Sequence, residues 1–201
     1  MYKRQPLIID LPGHGDSKGS SSNSIEYYGQ FLINALKAFD LKDLSLCGHS
    51  MGGLIALEMV LNHKFPAKEV ILVNSIYPTR VADALLAKAR AGNGDAANFI
   101  IKYGLYRRLL GMRNAFSEAD DLVMLDDLDA CNSYELDLNN LKNLEIPISI
   151  ILGSKDRLVD SKAVENFVDI VPSHTYIMDD VGHFSFFEDP VELSRIISEI
   201  V

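Results

Sequence analysis

Five short runs of consecutive, mostly apolar residues punctuate the chain: Leu7–Asp10, Leu44–Cys47, Val70–Val73, Ile148–Leu152 and Thr175–Met178. They are rich in Ile, Leu and Val without regular alternation, the pattern of parallel strands covered on both faces. Between them the apolar spacing changes to three and four. Ser24 is placed to cap a helix with Ile25, Tyr28, Leu32, Leu36 and Phe39 on one face. Met51–Asn62 presents Leu54, Leu57 and Leu61 in the same way. Asp189-Pro190-Val191-Glu192 opens the last helix with a cap, a first-turn proline and an acid three positions after the cap. Strands alternating with helices predict an α/β protein built on a parallel sheet.

One interval breaks the alternation. Residues 75–143 read as helical, with Phe99, Tyr103, Tyr106 and Leu110 in one stripe and Leu122, Leu125 and Leu128 on a helix started by Ser117-Glu118-Ala119-Asp120. This is an insertion, read as a helical cap on a core made of residues 1–74 and 144–201. Its charges are segregated: Arg80–Arg113 holds seven basic and two acidic side chains, Ser117–Glu145 one basic and nine acidic. Either the cap helices pair these charges with one another or show them to water, or the basic part is a rim that steers a carboxylate-bearing substrate. The aromatics of the stripe are either cap core or pocket lining.

Composition narrows the partners. A net charge of −9 on 201 residues argues against a nucleic-acid groove or an anionic membrane surface. The apolar runs, such as Val70-Ile71-Leu72-Val73, are far too short to span a bilayer, and no signal-peptide core follows Lys3 and Arg4. Cys47 and Cys131 stand far apart and read as two reduced thiols, with one long-range disulfide as the alternative. The expected setting is cytoplasmic.

Candidate chemistry lies where strands end. Gly48-His49-Ser50-Met51-Gly52 follows one predicted strand and opens a predicted helix, a turn that lifts a serine above the sheet. The Met51 N–H at the helix start points toward a developing oxyanion. Alone, G-x-S-x-G occurs by chance in about one chain in fifteen of this size. A serine also needs a base, and the base an orienting acid. Asp156 follows the strand Ile148–Leu152, and His183 follows Thr175–Met178, so both fall on the same sheet edge as Ser50. Asp160 rivals Asp156 but stands at a helix start, where capping accounts for it. His14 and His49 flank glycines and read as turn residues, Cys47 as strand packing, and no His spacing suggests a metal site.

With these motifs, the chain resembles the α/β-hydrolase fold superfamily in its helical-cap branch. The resemblance rests on Asp10-Leu11-Pro12-Gly13-His14-Gly15-Asp16-Ser17, the elbow Gly48–Gly53, the loop Gly153–Val159 and Gly182-His183. It implies a serine hydrolase acting on an ester or related acyl bond of a small carboxylic substrate. Ser50 would be nucleophile, His183 base and Asp156 its orienting acid, with water as second substrate and no metal or organic cofactor. Carbon–carbon bond hydrolases, acyltransferases, haloperoxidases and non-catalytic binding proteins share the frame.

The resemblance also implies an incomplete front. In the family the Asp10–Ser17 motif follows the fourth strand, so three earlier strands and a loop carrying the second oxyanion donor are expected to be missing. Five of the usual eight strands would remain. Leu7–Asp10 and Leu44–Cys47 would then flank a slot about 9–10 Å wide. Met1-Tyr2-Lys3-Arg4-Gln5 is what ATG TAT AAG AGA CAG encodes, the end of a sequencing-library adapter, and is read as a remnant outside the fold. Low activity is the expectation for such a chain.

Overall fold

In a computed structural model, which describes residues 5–39, 41–107 and 120–201, four of the five apolar runs become strands. They are β1 (Ser45–His49), β2 (Glu69–Val73), β3 (Ile148–Gly153) and β4 (Ser173–Met178). All pairings are parallel and the spatial order is β1-β2-β3-β4. Parallel neighbours need crossovers. α2 (Met51–Leu61) joins β1 to β2, and α7 (Ser161–Ile170) joins β3 to β4. The β2–β3 crossover is the long one, carrying α3 (Asp83–Ala91), α4 (Asp95–Gly104), α5 (Asp121–Ser133) and α6 (Leu138–Lys142). α1 (Ile25–Leu36) precedes the sheet; α8 (Ser185–Glu188) and α9 (Pro190–Ile200) follow it.

Alternate strand residues feed two layers, because successive side chains leave opposite faces. Val70, Leu72, Ile148 and Ile150 pack with Ile25, Tyr28, Leu54, Leu57 and Phe167 on one face. Ile71, Val73 and Ile151 pack with Leu193 and Ile196 of α9 on the other. The central strands β2 and β3 are buried at every position, as their unbroken apolar runs require. β4 differs from the expectation: among the described residues it is an edge strand, and His174, Thr175 and Ile177 are exposed. Cys47 of β1 is exposed as well, so it is not a packed core residue.

The fifth run is a correction. Leu7–Asp10 forms no strand; Leu7 is 48% and Ile8 86% exposed. A strand exists through its ladder, and β1 has a described neighbour on one side alone, β2. The sheet therefore has four described strands instead of five. Asp10 instead ties up the loop that follows, accepting from the Asp16 amide (3.0 Å) and, through its carbonyl, from Ser17 Oγ (2.7 Å).

Helix starts follow their caps. Ser24 Oγ accepts from the Tyr27 amide, and Asp189 from the Glu192 amide. Asp120 caps α5 directly; Leu110 and Ser117–Ala119 lie outside the described residues. α3, α4 and α5 share a small cluster of their own, Leu85, Ala89 and Ala96 with Phe99, Met124, Leu125 and Leu128. Phe99 is thus packed among helices, and its ring lies 4.4 Å from that of Tyr103.

The acidic face of α5 has a destination that neither reading of its charge included. Arg90 does pair with Asp129 (3.3 Å) between helices. Asp127, however, turns to the core, meeting His14 Nε2 (2.8 Å) and accepting from the Tyr28 hydroxyl (2.9 Å). Asp126 accepts from Ser21 Oγ (2.5 Å). His14 therefore does more than shape its turn: Nδ1 stays near the Pro12 carbonyl (3.1 Å) while Nε2 links the loop to α5.

Candidate active site

Ser50 sits between β1 and α2 with φ 50° and ψ −120°, a left-handed backbone that side-chain-bearing residues rarely adopt. Two glycines make the turn feasible. A Cβ on Gly48 would run into the Gly52 backbone, and one on Gly53 into the Ser75 hydroxyl. Gly52 has open space around it, so the crowded positions are Gly48 and Gly53 rather than the two motif glycines. The Ser50 amide donates to the Val73 carbonyl (3.0 Å), and the Ser50 carbonyl accepts from Gly53 N–H (3.0 Å) and Ser75 Oγ (2.7 Å). Met51 is the first residue of α2, so its N–H belongs to the helix-start amides that have no intrahelical partner.

Asp156 and His183 meet across the β3 and β4 loops. His183 Nδ1 lies 2.8 Å from Asp156 Oδ2, with side chains only 7% and 4% exposed. The second Asp156 oxygen accepts from the Leu158 (2.8 Å) and Val159 (3.2 Å) amides. Burial by itself pushes the Asp156 carboxyl up. The His183 hydrogen bond and charge, the Leu158 amide and Asn74 outweigh it and hold the carboxyl below its ordinary value. The Nδ1 bond to Asp156 leaves Nε2 as the ring atom free to face a nucleophile. Among the described contacts no hydrogen bond joins Ser50 Oγ to that ring; such bonds often tighten only with substrate present.

His49 lies against this pair. Its ring centroid is 4.8 Å from that of His183, and its Nε2–H donates to the His183 carbonyl (2.8 Å). Burial first, and then the His183 charge, pull its imidazole down to about 4. A neutral His49 adds a donor without adding a cation. Asp160, the rival acid, caps α7 through the Lys162 amide (2.9 Å) and is not part of this group.

Sequence reasoning missed three supports. Asn74, fully buried at φ 47°, donates from Nδ2 to Asp156 Oδ2 (2.9 Å) and to the Gly182 carbonyl (3.2 Å). It stands just past β2, so the strand-end rule that singled out Asp156 and His183 applies to it too. Ser75 is its neighbour. Glu188 is a buried carboxylate that accepts the Gly182 amide (3.0 Å), and no local pattern in the sequence announces it. Among the described residues, no cluster of three or more His, Cys, Asp or Glu side chains is arranged to hold a metal ion. Two surface concavities, of about 510 Å³ near Tyr77 and Tyr134 and about 440 Å³ near Gln30 and His63, include none of Ser50, Asp156 and His183.

A strand-order sheet with an elbow serine and a His–Asp pair at its carboxyl edge defines a class, and the chain belongs to it: the alpha/beta hydrolase family, whose sequence model matches residues 2–196. Putative esterase/lipase 2 of Mycoplasma pneumoniae is 24% identical over 220 residues, spanning 97% of this chain and 78% of that protein. 3-Oxoadipate enol-lactonase 1 of Acinetobacter baylyi is 24% identical over 207 residues, spanning 97% and 77%. Among solved structures, a thermophilic esterase superposes with a TM-score of 0.85 at 25% identity, covering 95% of this chain and 78% of the other.

Proposed function

We propose that this protein is a serine hydrolase that cleaves an ester or related acyl bond of a small carboxylic substrate, with water as the second substrate. One observation carries the reading: a buried Asp156 side chain holds His183 by Nδ1, at the sheet edge where the turn carries Ser50. In this reading Ser50 Oγ attacks the carbonyl carbon while His183 Nε2 takes its proton. The imidazolium is stabilised by Asp156 and returns the proton to the leaving group. Water then repeats the sequence on the acyl-enzyme. The Met51 N–H, reinforced by the α2 dipole, supplies one oxyanion contact. Family membership and the esterase, lipase and lactonase relatives support hydrolysis of an ester.

Residues 75–143 act in this reading as a cap. Their α5 is fastened to the core through Asp127 and Asp126, and the end of α4 reaches the His183 loop. Two free thiols, Cys47 and Cys131, fit a reducing, cytoplasmic setting. Among the described residues no helix is long and apolar enough to cross a membrane. A fluorophosphonate probe together with short p-nitrophenyl esters tests the assignment. Labelling and turnover that both vanish in Ser50→Ala are the expected result. Turnover that survives Ser50→Ala would overturn it.

A further inference from the structure

The base His183 is not held by Asp156 alone, and its remaining supports come from an unexpected direction. The segment Gly104–Arg107 at the end of α4 belongs to the β2–β3 crossover, far from His183 in the chain, yet it is bonded to the His183 loop. The His183 amide donates to the Gly104 carbonyl (2.6 Å). A Cβ on Gly104 would collide with the Phe184 ring, so the approach is close. Between the two segments stands Glu188, on the single turn α8, 5% exposed.

Both carboxylate oxygens of Glu188 are used, one for each side. Oε1 accepts the Gly182 amide (3.0 Å), next to the base. Oε2 accepts the amides of Tyr106 (3.0 Å) and Arg107 (2.8 Å) from the α4 side. The Arg107 guanidinium adds a bond to the Glu188 carbonyl (3.3 Å). Gly182 is therefore gripped at both ends of the residue, its N–H by Glu188 and its carbonyl by Asn74. A residue gripped in this way leaves the following His183 little freedom of position. A buried carboxylate with three backbone donors is a satisfied group, and only an acceptor with two free oxygens can serve both sides at once. Glutamine has the same shape but a single acceptor oxygen; its amide nitrogen would face an N–H.

We propose that Glu188 is a positioning residue that locks the end of α4 to the Gly182–His183 loop, so that the seating of the 75–143 segment sets the position of the base. The inference rests on His183 acting as base under the reading above. Displacement of α4 pulls on Gly182 through Glu188 and on His183 through its own amide, and both pulls move Nε2 relative to Ser50. Misplacement of this kind lowers the chemical step more than it lowers substrate binding.

The test uses the full chain with Glu188→Gln, and Gly104→Ala as an independent route to the same joint. Three quantities are read: thermal midpoint, kcat and KM for a p-nitrophenyl ester per folded molecule, and the downfield proton resonance of the His183 Nδ1–Asp156 bond. The expected result is kcat lower by on the order of 10- to 100-fold in Glu188→Gln, with KM changed far less. The downfield proton should shift or broaden at a temperature where the variant is still folded. A variant that loses thermal stability yet keeps wild-type kcat and an unmoved proton resonance would reduce Glu188 to a structural role and overturn the proposal. Should Glu188→Gln fail to fold, the same outcomes are read on Gly104→Ala. The resonance does not depend on turnover. Its behaviour decides the Glu188 proposal even if the chain hydrolyses no ester, a result that would count against the Ser50 reading instead.

Discussion

The two halves of the site are held by different means. Ser50 is placed mainly by backbone: a left-handed residue, two crowded glycines, and backbone bonds with Val73 and Gly53, with one side-chain bond from the Ser75 hydroxyl. His183 is placed mainly by side chains: Asp156 on its ring, Asn74 and Glu188 on the preceding residue, and His49 on its carbonyl, beside one backbone bond from its amide to the Gly104 carbonyl. Under the proposed roles, the contrast follows from what each group would have to do. A nucleophile has to stand clear of its surroundings, so few side chains can touch it. A base that becomes charged needs polar neighbours that are already oriented. Under the proposed reading the nucleophile is set by conformation and the base by a network.

The sharpest way to break this comparison is to remove the reacting atoms. Ser50→Ala should cost on the order of 10⁵–10⁶ in kcat with an unchanged melting curve, since the alanine keeps the turn. Asp156→Asn comes next, at about 10⁴ in kcat, because the amide can donate to Nδ1 and favours the wrong tautomer. It should also remove the acid dependence linked to Asp156. A depressed carboxyl pKa stabilises the fold above its unfolded value, and that increment is lost as the pH falls through the folded value. Acid unfolding of wild type and variant, followed by circular dichroism, shows whether the two curves converge at low pH.

The backbone half is tested by its glycines. Gly48→Ala should destabilise by about 1–3 kcal/mol, as expected of a methyl forced against fixed backbone, and should lower turnover with it. Gly52→Ala is the control: it lies in α2 with nothing near its would-be Cβ and should be neutral, or stabilise by up to about 1 kcal/mol. Equal losses at both positions would show that the motif glycines act in some way other than crowding.

The smallest effect is expected away from the chemistry, at the joint between His14 and Asp127. The hydrogen bond to Asp127 is the main cause of a raised His14 pKa, against the opposing pull of burial. A raised value means stability that is complete below the ordinary 6.5 and is lost as the pH rises through the folded value. Wild type should therefore exceed His14→Gln by ~0.5–1 kcal/mol in mild acid and by less above neutrality. Denaturant titrations at two pH values measure the difference, and a gap that widens with pH would contradict the assignment.

Much of this molecule was legible along the chain. The central strands are continuous apolar runs because they are buried on both faces, and the helix starts at Ser24 and Asp189 follow from capping atoms three residues from the amides they accept. Ser50, Asp156 and His183 were singled out because each follows a predicted strand, and all three do stand just past strands, since strand ends are local signals. Leu7–Asp10 was misread for the opposite reason: its apolar pattern is local, but a ladder partner is not. Likewise the exposure of β4 depends on its place at the sheet edge, which its own residues do not encode.

What the sequence by itself determined is therefore everything that needs only neighbours in the chain: the α/β alternation, the strand-to-helix turn at Ser50, and the strand ends that carry Asp156 and His183. Tertiary structure alone decided which buried polar groups meet. Asn74 reaches Asp156 across 82 positions and Glu188 reaches Tyr106 across another 82. His14 meets Asp127 across 113. The physical reason is that a buried hydrogen-bonding group must find a partner wherever the fold brings one, and no spacing rule constrains that distance in sequence.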